Sequence, residues 1–209
     1  MTAIVDYGVG NLFSLKSSME AIGEEIVVTS DEKVLRTADR IILPGVGAFE
    51  DAIKKLKDTG LDQVVIDEAK SGKPLMGICL GMQMLLEKSF EYGEHQGLGL
   101  IRGEVRSIGE VIPKDLKIPH IGWNGLHLKG EKHPIFKYIN EGEHVYFVHS
   151  YYGANCTEST IATAEYGAEL TAAVAHKNVC GCQFHPEKSG DVGLRILRAF
   201  CEMGVADIC

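Results

Sequence analysis

No apolar run in this chain approaches the ~18 to 20 residues that a membrane-crossing helix needs, so no membrane span is expected. A phosphate-binding loop of the Walker type is missing, and Gly8-Val9-Gly10 is followed by Phe13 where a dinucleotide fingerprint wants glycine. Lysine and arginine number 21 against 29 acidic residues, for a formal charge of -8, which excludes the broad basic face of a nucleic-acid binder. Among six cysteines (Cys79, Cys156, Cys180, Cys182, Cys201 and Cys209) there is no Cys-x-x-Cys pair, and Cys180-Gly-Cys182 lacks zinc spacing. Neither a metal nor a cofactor is expected. The stretch Met1 to Tyr7 carries Asp6 and no basic segment before an apolar run, unlike a secretory signal. The expected location is therefore cytoplasmic, and a chain of this length there has no need of disulfides.

What is present suits one ordinary globular domain over residues 1–209, with 45% hydrophobic and 24% charged residues. The first half alternates strand and helix signals. Ala3-Ile4-Val5 is a short apolar run ending in the turn Asp6-Tyr7-Gly8-Val9-Gly10, after which Leu12, Leu15, Met19 and Ile22 recur at helical spacing before Gly23. Ile26-Val27-Val28 reads as a second strand, Ser30-Asp31-Glu32 as a helix start, and Arg40 to Leu43 as a third strand entering Pro44-Gly45-Val46-Gly47. Helical patterns run from about Ala48 to Ala69, Pro74 to Ile78 is a fourth strand, and Met82, Leu85 and Leu86 open another helix. Such alternation predicts an α/β fold with a mostly parallel central sheet flanked by helices. From Gly97 to about Val174 short β-like pieces such as Val145-Tyr146-Phe147-Val148 predict antiparallel strands added to one side of that sheet. A helix from Val192 to Phe200 closes the chain.

Gly77-Ile78-Cys79-Leu80-Gly81 has the Gly-x-nucleophile-x-Gly form of a nucleophile elbow, with the strand before it and helix after it that the motif needs. The glycines leave room for a sharp turn where backbones approach, and the N-terminus of the following helix favours a thiolate. The same five residues are also compatible with a buried cysteine between two packing glycines. The other cysteines read as small apolar residues or surface thiols.

A thiolate nucleophile needs a base, and the base needs a group to orient it. Of the eight histidines, His185 stands at the end of the predicted strand Val179 to Phe184, in His185-Pro186-Glu187. Pro186 stiffens that turn, so the Glu187 carboxylate can accept the second N–H of the imidazole. A plain surface turn would read the same way. Pro44-Gly45-Val46-Gly47 leaves backbone amides free of Cβ atoms at a strand end, as an oxyanion-binding loop would and as an ordinary glycine-rich turn also does.

Taken together, Pro44-Gly45-Val46-Gly47, Gly77 to Gln83 and Phe184-His185-Pro186-Glu187 occur in the order seen in the triad, or class I, glutamine amidotransferases, which the chain resembles over essentially its whole length. Asp6 to Leu12, Pro119-His120-Ile121-Gly122-Trp123-Asn124 and His185 to Ser189 resemble one branch of that family, the glutaminases that feed a cyclase in histidine biosynthesis. The resemblance implies a flavodoxin-like fold and L-glutamine as substrate. It implies Cys79 as nucleophile, His185 as acid and base, and Glu187 as its orienting partner. Val46, Gly47 and Leu80 would supply the oxyanion amides, while Gln83, Glu91, Ser150, Tyr151 and Tyr152 would contact glutamine. It also implies a heterodimer with a (βα)8-barrel cyclase, with Asn11, Trp123 and Lys188 at the interface. A glutaminase serving another acceptor, or a Cys-His hydrolase acting alone, would carry the same triad.

Overall fold

The computed structural model describes residues 1–204, so Cys209 lies outside the described residues. Strand β1 (Thr2–Val5) leads into helix α1 (Leu12–Ala21), followed by β2 (Ile26–Thr29), α2 (Glu32–Thr37) and β3 (Arg40–Leu43). The helical stretch after β3 is broken by Gly60, in the left-handed region at φ 72°, into α3 (Phe49–Asp58) and α4 (Leu61–Lys70). Then come β4 (Leu75–Ile78) and α5 (Leu80–Leu85). The β-rich region holds β5 (Lys88–Ser89), β6 (His95–Gln96), β7 (Glu104–Ser107), β8 (His120–Gly125), β9 (His127–Leu128), β10 (His144–His149), β11 (Tyr151–Ala154), β12 (Thr160–Glu165) and β13 (Glu169–His176). Strand β14 (Val179–Cys182), a 3-10 turn at Pro186–Lys188 and α6 (Gly190–Cys201) complete the described chain.

The main sheet has the order β2-β1-β3-β4-β14-β13-β12-β9. From β2 to β14 every neighbouring pair is parallel, and from β14 to β9 every pair is antiparallel. The expected α/β class and the antiparallel extension on one side are therefore observed. One expectation is corrected. The Val145–Val148 strand does not join the main sheet; β10 pairs only with β8 in a two-stranded sheet, and β11, β7, β5 and β6 form another sheet. A short alternating run reveals which face is buried but not which strand it pairs with. Here Val145 and Phe147 turn inward against Ala162, Ala172 and Phe184, so β10 covers the sheet instead of extending it.

The inner parallel strands are apolar over most of their length because both faces are covered, whereas the edge strand β2 is half-buried. Ala3, Val5, Ile41, Leu43 and Leu75 enter one core with Phe49, Leu56 and Val65 from α3 and α4. Their alternates Ile4, Ile42, Met76 and Ile78 enter the other, with Leu15 and Met19 of α1 and Ile196 and Phe200 of α6. The pairing Leu43↔Gly77 and Ile78↔Cys182 aligns the carboxyl ends of β3, β4 and β14. Pro44, Cys79 and the segment leading to His185 therefore leave the sheet side by side, at the edge where open parallel sheets bind ligands. Among the described residues no helix is long and apolar enough to cross a membrane.

Helix α6 sits on the Pro186–Lys188 turn at backbone contact. A Cβ at Gly193 would lie 1.8 Å from the Pro186 carbonyl oxygen. Helix propensity alone would credit Gly193→Ala with about 1 kcal/mol of stabilisation. The clash with backbone outweighs this, and the expected outcome is a loss of roughly 2 to 4 kcal/mol in chemical denaturation. Gly72→Ala, with no atom within 4 Å but φ 93°, should lose only about 1 kcal/mol. Equal losses in the two variants would show that the contact with Pro186 does not constrain α6.

Candidate active site

Cys79 stands between β4 and α5 with φ 55° and ψ -111°, a backbone conformation that a non-glycine residue rarely adopts. Its N–H donates to the Cys182 carbonyl at 2.7 Å, tying the elbow to the end of β14. The surrounding glycines are required by contact. A Cβ on Gly81 would sit 1.9 Å from the Leu43 carbonyl oxygen, and one on Gly77 would sit 2.7 Å from the Gly81 carbonyl. Gly45 is equally confined, 2.7 Å from the Gly81 nitrogen, which packs the Pro44–Gly47 loop directly on the elbow. The strand–turn–helix geometry that the motif needs is present.

His185 is buried, and its Nδ1 lies 2.8 Å from Glu187 Oε1. Its N–H donates to the Tyr146 carbonyl at 3.0 Å, while the Ser189 hydroxyl donates to its carbonyl at 2.6 Å. Burial alone would depress the imidazolium, but hydrogen bonding to Cys79 and Glu187 overrides it and lifts the His185 pKa to about 9. Glu187 Oε2 is buried with no hydrogen-bond partner, so that carboxylate relies on His185 alone among the described residues.

Cys79, Leu80, Val46, Gly47, Gln83, Glu91, Ser150, Tyr151, His185 and Lys188 all line one cleft of about 320 Å³. Leu80 is the first helical residue of α5, where the N–H has no partner within the helix. Val46 and Gly47 are exposed at the rim, and Gly47 takes φ 90°. Beneath them the buried Tyr7 hydroxyl donates to the Pro44 carbonyl at 2.7 Å, and burial, then the neighbouring Cys79, holds its phenol well above the ordinary value. Gln83 donates both amide hydrogens inward, to the Tyr151 carbonyl at 3.1 Å and Gln183 Oε1 at 2.9 Å. Gln183 in turn donates to Cys79 Sγ at 3.7 Å. Glu91 accepts from the Phe49 N–H at 2.7 Å; burial raises its pKa, with that N–H and His95 pulling the other way.

Four of the expected residues lie elsewhere. Glu187 sits behind His185, as an orienting group should. Tyr152 is corrected: it alternates with Tyr151 along β11 and packs with Ile108, Ile112 and Leu170, away from the cleft. Asn11 stands at the N-cap position of α1 without a side-chain cap bond, α1 packs on the Pro186–Lys188 turn, and Trp123 is half exposed on β8. Pro119, Val148 and His149 line the cleft and escaped the sequence reading. Pro119 lies in the Pro119–Asn124 segment and Val148 in the Val145–Val148 strand, neither of which was assigned to the site, and His149 is marked only by its adjacency to Ser150.

The remaining described cysteines are buried and unpaired. Burial pushes the Cys180 thiol up to about 12 and Cys182 well above its ordinary range. Desolvation, then the Glu24 carboxylate, does the same to Cys201, again to about 12. They are packing residues, not surface thiols. No group of three or more His, Cys, Asp or Glu side chains among the described residues is placed to hold a metal ion.

Residues 3–203 match the family described as glutamine amidotransferase class-I. The chain is 48% identical over 204 residues to imidazole glycerol phosphate synthase subunit HisH of Caldanaerobacter subterraneus subsp. tengcongensis, covering 97% of this chain and 98% of that one. It is 46% identical over 206 residues to the subunit of the same name from Wolinella succinogenes, covering 98% and 100%. A solved structure described as a crystal structure of glutamine amidotransferase superposes with a TM-score of 0.74 at 21% identity, covering 96% of this chain and 97% of the other, a likeness of fold.

The raised His185 pKa has a testable sign. The imidazolium is favoured in the folded state, so its contribution to stability is fully present below the unfolded value near 6.5 and is lost as pH rises through about 9. Replacing Glu187 by Gln removes one of the two groups that hold the proton. An NMR titration of the His185 ring should show a pKa near 9 in the wild type and a clear drop in Glu187→Gln. An unchanged midpoint would mean that Glu187 does not hold the proton on the ring.

Proposed function

This chain belongs to the class-I glutamine amidotransferases, and from that premise we propose that it is the glutaminase subunit of imidazole glycerol phosphate synthase, hydrolysing L-glutamine through Cys79, His185 and Glu187 and passing the ammonia to a cyclase partner. The observation that carries the catalytic part is the strained Cys79 facing a cleft that also holds His185, whose Nδ1 lies 2.8 Å from Glu187. The chain acts as one domain, in the cytoplasm.

The chemistry follows from the charges. The Cys79 thiolate attacks the side-chain amide carbon of glutamine, and the carbonyl electron pair moves onto oxygen. The Leu80 N–H and an amide of the Val46–Gly47 peptide receive that oxyanion; one such donor is worth ~10² to 10³ in rate. The C–N bond then breaks while the His185 imidazolium gives its proton to the departing nitrogen, leaving ammonia and a γ-glutamyl thioester. Neutral His185 next takes a proton from water as the oxygen adds to the thioester, and collapse expels the thiolate to give glutamate. Glu187 holds the ring oriented through both steps and stabilises its charged form. An imidazolium that persists to about pH 9 suits the resting thiolate–imidazolium pair. Gln83, Glu91, Ser150 and Tyr151 shape the site that receives glutamine.

A partner surface is supported by exposed apolar residues bordering the cleft. Pro119 lines the cleft, and its neighbours Ile118, Ile121 and Trp123 are exposed by 48%, 58% and 53%. Phe13 on α1, two residues from Asn11, is 82% exposed, and Lys188 is also exposed. A (βα)8-barrel cyclase docked there as a heterodimer would cover Asn11, Trp123 and Lys188 together with the cleft mouth.

Cys79→Ala should abolish glutamine-dependent synthesis by the complex and leave ammonia-dependent synthesis intact. Loss of both in an assembled complex would overturn the division of labour, and full glutaminase activity of the wild-type chain alone would favour an independent hydrolase. Trp123→Ala should weaken association by about 2 kcal/mol in a titration, the scale of an interface anchor; unchanged affinity would remove Trp123 from the interface.

A further inference from the structure

A hydrogen-bonded chain links strand β8 to the nucleophile through two histidines. Asn124 Nδ2 donates to the Glu165 carbonyl at 2.8 Å, which fixes the amide so that its Oδ1 faces His120 Nε2 at 2.7 Å. His120 Nδ1 lies 3.0 Å from His149 Nε2, and His149 Nδ1 lies 2.7 Å from the Tyr151 carbonyl. That carbonyl is the one Gln83 holds, and Gln83 leads through Gln183 to Cys79 Sγ. Both rings are buried, and His120 stacks on Phe147 and Tyr166 at ring-centroid distances of 5.1 and 4.1 Å.

The ends of the two-ring segment are both acceptors, the Asn124 amide oxygen and the Tyr151 carbonyl. Its three hydrogen bonds therefore need three ring protons, whereas two neutral imidazoles carry only two. Either the pair shares one positive charge or one of the bonds stays open. The groups facing the pair are His185 and Lys188 from the Pro186–Lys188 turn, Cys79 and Glu91 across the cleft, Tyr151 beside it and Tyr166 against His120. Burial opposes the extra charge on both rings, and proximity to His185 adds to this at His149. In the neutral pair the open bond has three possible positions. When it falls at the Tyr151 end, the carbonyl loses its histidine donor.

We propose, resting on the glutaminase reading, that His149 braced by His120 is a positioning residue for glutamine, and that the proton arrangement of the pair decides whether the Tyr151 carbonyl and the Gln83 side chain are held in place. His149 does not touch the reacting atoms. It acts through the wall of the cleft, so its loss weakens glutamine binding more than turnover.

The test measures glutamine hydrolysis by the chain in complex with its cyclase partner, for the wild type, His149→Phe and His149→Asn. His149→Phe should raise KM for glutamine about tenfold, the scale of one net hydrogen bond, with kcat changed much less. His149→Asn, whose Nδ2 can donate from the place of Nδ1, should recover most of the loss. An unchanged KM in His149→Phe, or equal losses in two folded variants, overturns the proposal. A second readout is ¹⁵N NMR of the histidine rings in the wild-type chain. The pair should take up one further proton on acidification, with both rings responding together; two independent single-ring titrations overturn it. A wild-type complex that releases no ammonia from glutamine, while the rings still titrate as a pair, would sink the glutaminase reading instead.

Discussion

The site depends on a place in the sheet where no side chain fits. At the carboxyl ends of β3, β4 and β14, backbones meet the first turn of α5 at contact distance, with Gly45, Gly77 and Gly81 each leaving no room for a Cβ. Gly181 on β14 is confined as well, 2.5 Å from the Met82 side chain. This close approach forces the turn at Cys79 into the left-handed region, a cost of about 1 to 3 kcal/mol that the buried strands on either side offset. The same contact that strains Cys79 presents its sulfur to the cleft and brings the Pro44–Gly47 loop and the segment leading to His185 alongside it. Geometry of this kind cannot be assembled from flexible side chains, because the positioning is done by main chain held in a parallel ladder.

Electrostatics then separates one thiol from the others. Burial dominates at Cys180, Cys182 and Cys201 and raises all three thiols, although Thr2 and Arg40 pull the other way at Cys201. Cys79 faces an imidazolium that is itself supported by a buried carboxylate. The carboxylate is costly to bury and has a single partner, so it favours a charged ring. Burial opposes that charge, and the direction of the His185 shift shows that the two hydrogen-bonded neighbours win. Thiols of one core thus differ in what stands opposite the sulfur.

Much of this was legible in the sequence because the signals were local. The elbow glycines, the proline-stiffened His185–Glu187 turn and the strands that precede them each lie within a few residues, but only the family resemblance implied that the two come together. Non-local pairing was not legible. β10 pairs with β8 some twenty residues upstream, and nothing in Val145–Val148 distinguishes that partner from the edge of the main sheet. Tyr152 illustrates the period-2 rule: once Tyr151 faces the cleft, its neighbour must face the opposite side. The pairing of His120 with His149 was not legible either, because the two lie 29 residues apart in the chain. Their pairing comes from the β8–β10 register, in which they are directly opposed.

That register also connects the two buried histidine systems. His185 carries a proton that burial alone would remove, while the His120–His149 pair lacks a proton that its hydrogen bonds would use. The two conditions are linked, because the charge on His185 disfavours a second charge on His149 a short distance away. In the proposed reaction, transfer of the His185 proton to the leaving nitrogen would remove that repulsion and make a proton on the pair less costly. A proton there would complete the third hydrogen bond, and the Tyr151 carbonyl would be held by both His149 and Gln83.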